Sequence, residues 1–414
     1  MSEESKVTEH PGNRVLAIIT LSHLAQHFTI GISVLFPNMM QDLGLTYTGL
    51  GIITGTSRII AGFLQMAWSL LNRYTSRRVL LGIGNLLISC GSFLMGTATN
   101  FRELLVGDVI RGGGQAAQHP VGTSILSHKF SKAQVSWALS IHYGLGYVGN
   151  IVSPIIISTI ALTYSWRLAV YTLAIVPIVS GVLVLYYLRH EKSAAKSLQS
   201  SVQSNLWEDV KSVIRIRDAP LLIAAQAFAV GGTGMGVIIT YTPLFLTNQL
   251  HVGLFETSLI YSIGVVGGVL GTMFFGHFAG KLGNLKTASI VFGVGSLLIL
   301  LLSLYTSFTL LLIPHLFLVG ATSFSSSSLL QSHLASISTP NQRDVLLGLY
   351  FTIGFGLSSI WTALTGFIID LDPSFTLAWI MRAVLGIISF FIITYTFLTR
   401  KKAPELITQS QLAG

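Results

Sequence analysis

An apolar run long enough to cross a lipid bilayer recurs twelve times along this chain, and no other feature limits its fold so strongly. A helix rises about 1.5 Å per residue, so about twenty apolar residues span the ~30 Å hydrocarbon core. The runs lie at 14–38, 47–71, 79–98, 102–127, 135–161 and 166–188 in the first half. In the second they lie at 219–246, 257–280, 286–305, 308–336, 345–369 and 375–398. Only 9% of the 414 residues are charged and the mean hydropathy is +0.70, whereas about a quarter of the residues in a soluble domain carry charge. The chain is therefore read as an all-α polytopic membrane protein with twelve transmembrane helices.

The formal charge of +9 would suit nucleic acid if the basic residues formed a patch, but their placement gives a different signal. Arg58, Arg111 and Arg382 lie within apolar runs, and Arg102 and Arg167 sit on one side of the array. The other Lys and Arg gather at the two ends and in alternate loops. By the positive-inside rule this predicts a multi-pass protein of the cytoplasmic (inner) membrane with both termini and the long central loop in the cytoplasm. The lipid bilayer is the expected partner and nucleic acid is not. The start, MSEESKVTEHPGN, is polar and acidic and does not read as a cleaved signal peptide. The single cysteine, Cys90, excludes an internal disulfide and offers no Cys-based metal site, which leaves packing as its expected role.

One long polar stretch splits the runs six and six. The expected organisation is a cytoplasmic tail (1–13), a six-helix bundle (14–188), a cytoplasmic linker (189–218), a second bundle (219–398) and a cytoplasmic tail (399–414). Within the linker, LWEDVKSVIRI has the spacing of a short amphipathic helix on the membrane surface. The halves repeat at a nearly constant offset: Pro37 and Pro243 are 206 residues apart, and Phe101 and Phe308, like Gly149 and Gly356, are 207 apart. Two pseudo-symmetric parallel six-helix bundles with a midplane site between them are expected.

The fourth run carries DVIRGGGQAAQHP, from Asp108 to Pro120. On a helix, Asp108, Arg111, Gln115 and Gln118 share one stripe. Arg111 lies about ten residues into the run, roughly 15 Å deep, where a charge costs at least ~2.5–3.5 kcal/mol unless it faces protein or water. It should face inward, while Gly112, Gly113 and Gly114 let a neighbouring helix approach closely. His119 lies in the same run, and nearby runs add His23, His27, Arg58 and His142, all basic or potentially basic. An arginine fork holds a carboxylate, sulfonate or phosphonate by two parallel hydrogen bonds, so this half suits an anion. The competing reading is a buried Asp108–Arg111 ion pair that merely neutralises itself. An imidazole titrates near neutral pH and can exchange protons with water. Asp108 and His119 rank first for proton coupling.

The second half offers a neutral wall of aromatic and hydroxyl-bearing residues, including Tyr241, Gln331, Trp361 and the serines Ser325 to Ser328. Arg382 reads as peripheral and structural, His315 and His333 as hydrogen-bonded interface histidines, and Asp370 and Asp372 as solvated loop residues. No P-loop, carboxylate pair or metal-ligand spacing is present, so no enzyme activity, catalytic residue, metal or cofactor is expected.

The loop GHFAGKLGNLK (Gly276 to Lys286), its degenerate first copy around Asn72, Arg73, Arg77 and Arg78, the arginine and glycines at Arg111, Gly112 and Gly114, and GLGYVGNIVSP (Gly144 to Pro154) resemble the motifs of the major facilitator superfamily. The last is similar to an exporter motif but carries Ser153 where a glycine normally precedes the proline. SHLAQHF with His23 and His27, the pair Phe36–Pro37 and the pair His119–Pro120 are similar to the fosmidomycin-resistance branch, which implies proton-driven efflux of small anionic compounds. The resemblance implies a monomer that works by alternating access, with a cavity wall from helices 1, 2, 4 and 5. It also implies gating loops at Arg73, Arg77, Arg78, Lys281 and Lys286.

The expected function is proton-coupled secondary transport of a small organic anion. Substrate contacts are assigned to Arg58, Arg111, His23, His27, Gln115, Gln118, His142, Tyr241, Gln331 and Trp361. The alternatives are a proton-driven drug exporter of the fosmidomycin-resistance type, a lipid-headgroup translocase and a non-transporting membrane receptor.

Overall fold

The computed structural model describes residues 11–71, 74–131, 134–189 and 206–412, and these are almost entirely helical. The first apolar run is α1 (Pro11–Ile30), a 3-10 turn (Gly31–Leu35) and α2 (Phe36–Leu43). Gly44 ends it in the left-handed conformation (φ 60°), which a residue without Cβ adopts freely. Then come α3 (Tyr47–Leu71) and α4 (Arg77–Thr97). The fourth run is α5 (Phe101–Gln115), a π turn (Gln118–Gly122) and α6 (Thr123–Lys129). The fifth is α7 (Val135–Gly146) with α8 (Val148–Thr163), and the sixth is α9 (Trp166–Tyr187). The amphipathic spacing in the linker becomes α10 (Leu206–Ile214).

The seventh run breaks into α11 (Ala219–Ala229), α12 (Met235–Leu244) and a π turn (Phe245–Gln249). The remaining helices are α13 (Leu254–Leu282), α14 (Asn284–Leu302), α15 (Leu312–Ile337), α16 (Pro340–Leu371) and α17 (Thr376–Leu412). α16 opens with a capping box between Thr339 and Gln342, with Pro340 beginning the helix. Among the described residues, eight helical stretches are long and apolar enough to cross a membrane by length and composition. All twelve apolar runs are helical over most of their length, and the internal repeat reappears in the packing. α4 packs closely on α9 in the first half, as their repeat equivalents α14 and α17 do in the second.

By contact the chain forms two compact units. Among the described residues, one draws on Met1–Ile32, Phe63–Ala98 and Arg102–Ser200, the other on Ser33–Gly62, Thr99–Phe101 and Ser201–Gly414. In the first unit, α1 is surrounded by α7, α8 and α9. The core of the second gathers Leu222, Phe292, Leu330, Leu346, Tyr350 and Ile393.

Several expectations are corrected. The tenth run becomes helical at Leu312, not at residue 308. Cys90 is exposed on α4, not packed. Arg382 is structural but fully buried, not peripheral: it donates to the carbonyls of Gly231 (3.3 Å) and Gly232 (3.1 Å), freed where α11 gives way to α12. Asp370 is more than a solvated loop residue. It accepts hydrogen bonds from the backbone of Tyr47 (2.9 Å) and Thr48 (2.8 Å), capping the start of α3 from the end of α16. Asp372 organises the next turn, where the Ser374 hydroxyl, at 2.6 Å, holds its carboxyl below the usual carboxylate range.

Candidate functional site

The conspicuous polar chemistry of the first unit collects where α5 meets α1. On its other side α5 lies hard against α4: a Cβ on Gly91 would collide with the backbone nitrogen of Arg111. Glycine here permits a backbone contact that fixes the depth and rotation of Arg111. The guanidinium turns toward its own helix and α1. Its Nε donates to Asp108 Oδ1 at 2.9 Å, Nη2 donates to the same oxygen, and Nη1 reaches the Thr29 carbonyl at 3.5 Å. Both partners are buried. Gln115 donates to the Thr29 hydroxyl (3.0 Å), and Gln26 to the Gln115 carbonyl (3.3 Å). A buried ion pair of this kind offsets its own desolvation, and removing one partner typically costs about 3–5 kcal/mol.

One turn further on, Pro120 has no N–H to continue an α-helical ladder. The helix widens into the π turn, a form that recurs at functional sites, and a Trp68 N–H supports the Gly113 carbonyl from α3 at 2.9 Å. The widened turn carries His119 into a group of four imidazoles from three spans. His23 and His27 meet edge to face with Nε2 to Nε2 at 3.0 Å. His142 stacks on His23 at 4.4 Å between ring centres, and His119 lies 5.3 Å from His23. Tyr143 and Tyr147 border the rings, with Tyr147 4.7 Å from His27. The glycine motif of the fifth run makes room for this group: a Cβ on Gly146 would collide with the His23 ring, and one on Gly149 with the α1 backbone. At 4.5 Å between ring centres, two positive imidazoles repel by ~4 kcal/mol at an effective dielectric of about 20, so the group accommodates one charge far more easily than two.

The other residues assigned from sequence divide into separate places. Gln118 is completely buried in a closed trio, donating to Ser22 Oγ (2.8 Å) and Asn85 Oδ1 (2.9 Å), while Asn85 also donates to Ser22 (2.7 Å). Arg58 belongs to the second unit. It donates to the Gly236 carbonyl (2.8 Å) and to the hydroxyls of Thr240 (2.9 Å) and Thr362 (3.2 Å). Tyr241 is fully buried and donates to the carbonyls of Thr362 (2.8 Å) and Tyr47 (3.2 Å). Trp361 donates to the Ala227 carbonyl. Gln331, Ser327, Tyr350 and Gln226 form one hydrogen-bonded chain across α15, α16 and α11.

His315 is held by Tyr305 and the Leu298 carbonyl, and His333 faces Asp218, which also binds Arg400. Among the loop residues, Arg77 donates to His128 (3.2 Å), Arg78 is half-buried, and Lys281 and Lys286 are exposed. Arg73 lies outside the described residues.

Sequence reasoning missed Asn150, Tyr143 and Tyr147 as members of the histidine group. Their spacing of four and three residues marks one helical face and was legible as such. Thr29 and Gln26 gave no comparable signal, because their part depends on how α1 is turned toward α5.

The family model described as Major Facilitator Superfamily matches residues 16–363. The chain is 24% identical over 405 residues to an uncharacterized MFS-type transporter, YfnC, of Bacillus subtilis, covering 94% of this chain and 96% of that protein. It is 22% identical to the fosmidomycin resistance protein of Escherichia coli, covering 86% of each. It is also 22% identical to a probable L-galactonate transporter of the same organism, covering 82% of this chain and 79% of that one. Among solved structures, the nucleoside transporter NupG superposes with a TM-score of 0.74 at 16% identity, covering 92% of this chain and 99% of the other. A bacterial homolog of the lysosomal transporter Spinster gives 0.72 at 16% identity, covering 95% and 98%. These similarities give the fold and a transporter family.

Proposed function

The chain belongs to the Major Facilitator Superfamily, and from that membership we propose that it is a proton-coupled secondary transporter of a small organic anion, a carboxylate, sulfonate or phosphonate, working by alternating access. The reading rests on Arg111, a buried guanidinium held through one carboxylate on α5 and facing the polar residues of α1. Its fork is shaped for a planar or tetrahedral oxyanion. An arriving anion takes the two hydrogen bonds that Asp108 now accepts, with Gln115 and Gln26 beside it. Asp108 is then a buried charge separated from its partner, and a proton neutralises it. Anion binding and proton uptake are thereby linked, with His119 and its neighbouring imidazoles as the second proton-bearing group. Arg58 serves the second unit, holding α3 to α12 and α16. The protein works as a monomer in the cytoplasmic membrane, with both termini, the central linker and the basic loops at Arg77, Arg78, Lys281 and Lys286 on the cytoplasmic side.

Efflux is the second reading, favoured by the similarity to a fosmidomycin resistance protein over 86% of the chain. The similarity to a probable L-galactonate transporter also supports an anion, since galactonate is a carboxylate. A thermal-shift panel on the purified protein tests both, using carboxylates, sulfonates, phosphonates and cationic dyes with wild type and Arg111→Gln. A ligand at a hundredfold excess over Kd stabilises the fold by ~2.7 kcal/mol. The expected result is stabilisation by one anion class that Arg111→Gln abolishes. Stabilisation by cationic dyes alone, indifferent to Arg111, overturns the anion reading.

A further inference from the structure

The histidine group has a definite hydrogen-bond polarity. His23 Nδ1 faces the His142 carbonyl at 3.1 Å. A carbonyl only accepts, so Nδ1 of His23 carries hydrogen and its Nε2 is bare when the ring is neutral. The 3.0 Å contact between the two Nε2 atoms then requires His27 to donate. A neutral His27 that donates from Nε2 has a bare Nδ1. That atom is buried without a hydrogen-bond partner, and so is the carboxamide oxygen of Asn150, which lies beside the His27 ring. The bare Nδ1 is satisfied by one added proton, and the Asn150 oxygen is a buried acceptor available to that new N–H.

We infer that the transported proton resides on Nδ1 of His27, where the new N–H donates to Oδ1 of Asn150. The inference rests on the proton coupling proposed above and moves the proton's place from Asp108 and His119 to α1. The step is a simple transfer: an O–H bond of hydronium breaks, its proton binds the Nδ1 lone pair, water is released, and the His27 ring gains the one positive charge. The Asn150 oxygen accepts from the charged ring. The Tyr147 ring, 4.7 Å away between centres, is within cation–π range.

Every neighbouring element bears on the charge. His23 on α1, His119 after α5, and His142 and Tyr143 on α7 surround it, and repulsion among the rings limits the group to one proton. The Arg111–Asp108 pair on α5 approaches α1 at Thr29. From α9, Arg167 is bound to the carbonyls of Gly96 and Ala98, Tyr171 meets Phe93, Tyr186 meets Arg189, and Tyr187 meets Arg14. Neither ring nitrogen of His142 has a hydrogen-bond partner, so this ring acts on His23 by stacking alone.

Two measurements on the full chain in lipid test the inference. Nitrogen-15 spectra of histidine-labelled protein, with His27 identified by its loss in His27→Gln, should show His27 neutral as the Nε2–H form and gaining hydrogen at Nδ1 before any other ring of the group. An Nδ1–H form for neutral His27, or first protonation at His119 or His142, overturns it. In the second, vesicles enclosing a pH dye receive external D-gluconate or methylphosphonate. Wild type should carry protons with the anion, whereas His27→Gln and Asn150→Leu should lose proton movement, and Asn150→Leu should still exchange labelled anion at equal concentrations across the membrane. Proton movement that persists in both variants overturns the assignment and leaves the transport reading standing. Wild type that moves neither anion nor proton removes the transport reading for these anions, and the spectra still decide where the proton binds.

Discussion

Removing the Asp370 carboxylate should shift the protein toward conformations in which the start of α3 has parted from the end of α16. Asp370 receives two backbone N–H groups and the Thr48 hydroxyl at the first turn of α3, 322 residues away in sequence. A side-chain cap at a helix N-terminus is worth ~1 kcal/mol, and its negative charge at the positive end of the helix adds about 0.3–1 kcal/mol. Asp370→Ala therefore forfeits about 1.5–2 kcal/mol of the closed state and raises the open population roughly tenfold or more. Asp370→Asn keeps an acceptor and loses the charge, so its effect should be about two- to fivefold. Thr362 reports on opening because it is fully buried and receives the Arg58 guanidinium. Thr362→Cys, with the exposed Cys90 replaced by serine, should react with a small thiol reagent at a rate following the open population. The expected order is Ala above Asn above the native Asp370. Equal rates in all three backgrounds would refute the reasoning, since the cap would then contribute nothing to closure.

Arg382→Met should strip the hydrogen bonds from the Gly231 and Gly232 carbonyls, each orphan costing about 1–3 kcal/mol, and lower the melting temperature without changing the pattern of anion stabilisation; an altered ligand pattern would make Arg382 a binding residue. Gln118→Leu should leave Asn85 and Ser22 short of partners and destabilise by about 2–4 kcal/mol, read as a lower melting temperature with anion response intact. Loss of anion response at unchanged stability would return Gln118 to the substrate contacts. Gly91→Val should separate α4 from α5 and cost at least about 1–3 kcal/mol by overpacking, whereas Gly280→Ala, with open space around its Cβ position, should leave the melting temperature within about a degree.

What the sequence disclosed followed from constraints acting within a single helix. Apolar length marked the spans, but nothing in it foretold that Ser33–Gly62 and Thr99–Phe101 group by contact with the later helices. The three-residue step from Asp108 to Arg111 raised their ion pair as the competing reading, and the pair forms; the amphipathic LWEDVKSVIRI became α10. What it withheld depends on the rotation and approach of separate helices. Arg58 and Arg111 are equally basic and equally central in their runs, so composition grouped them, yet Arg58 is tied to Gly236, Thr240 and Thr362. Asp370 read as a solvated loop acid because nothing local reveals that the first turn of α3 presents two free N–H groups to it. The histidines were visible only as potentially basic residues accompanying the arginines of the first half. Which nitrogen faces which acceptor came only with the glycines that bring α7 and α8 against α1. Chemistry in this chain is thus specified twice, by residue types that announce charge inside the bilayer and by small residues that decide where each charge is satisfied. A substitution at Gly146 or Gly149 should accordingly impair the histidine group as severely as one at a histidine, although neither glycine carries a functional atom.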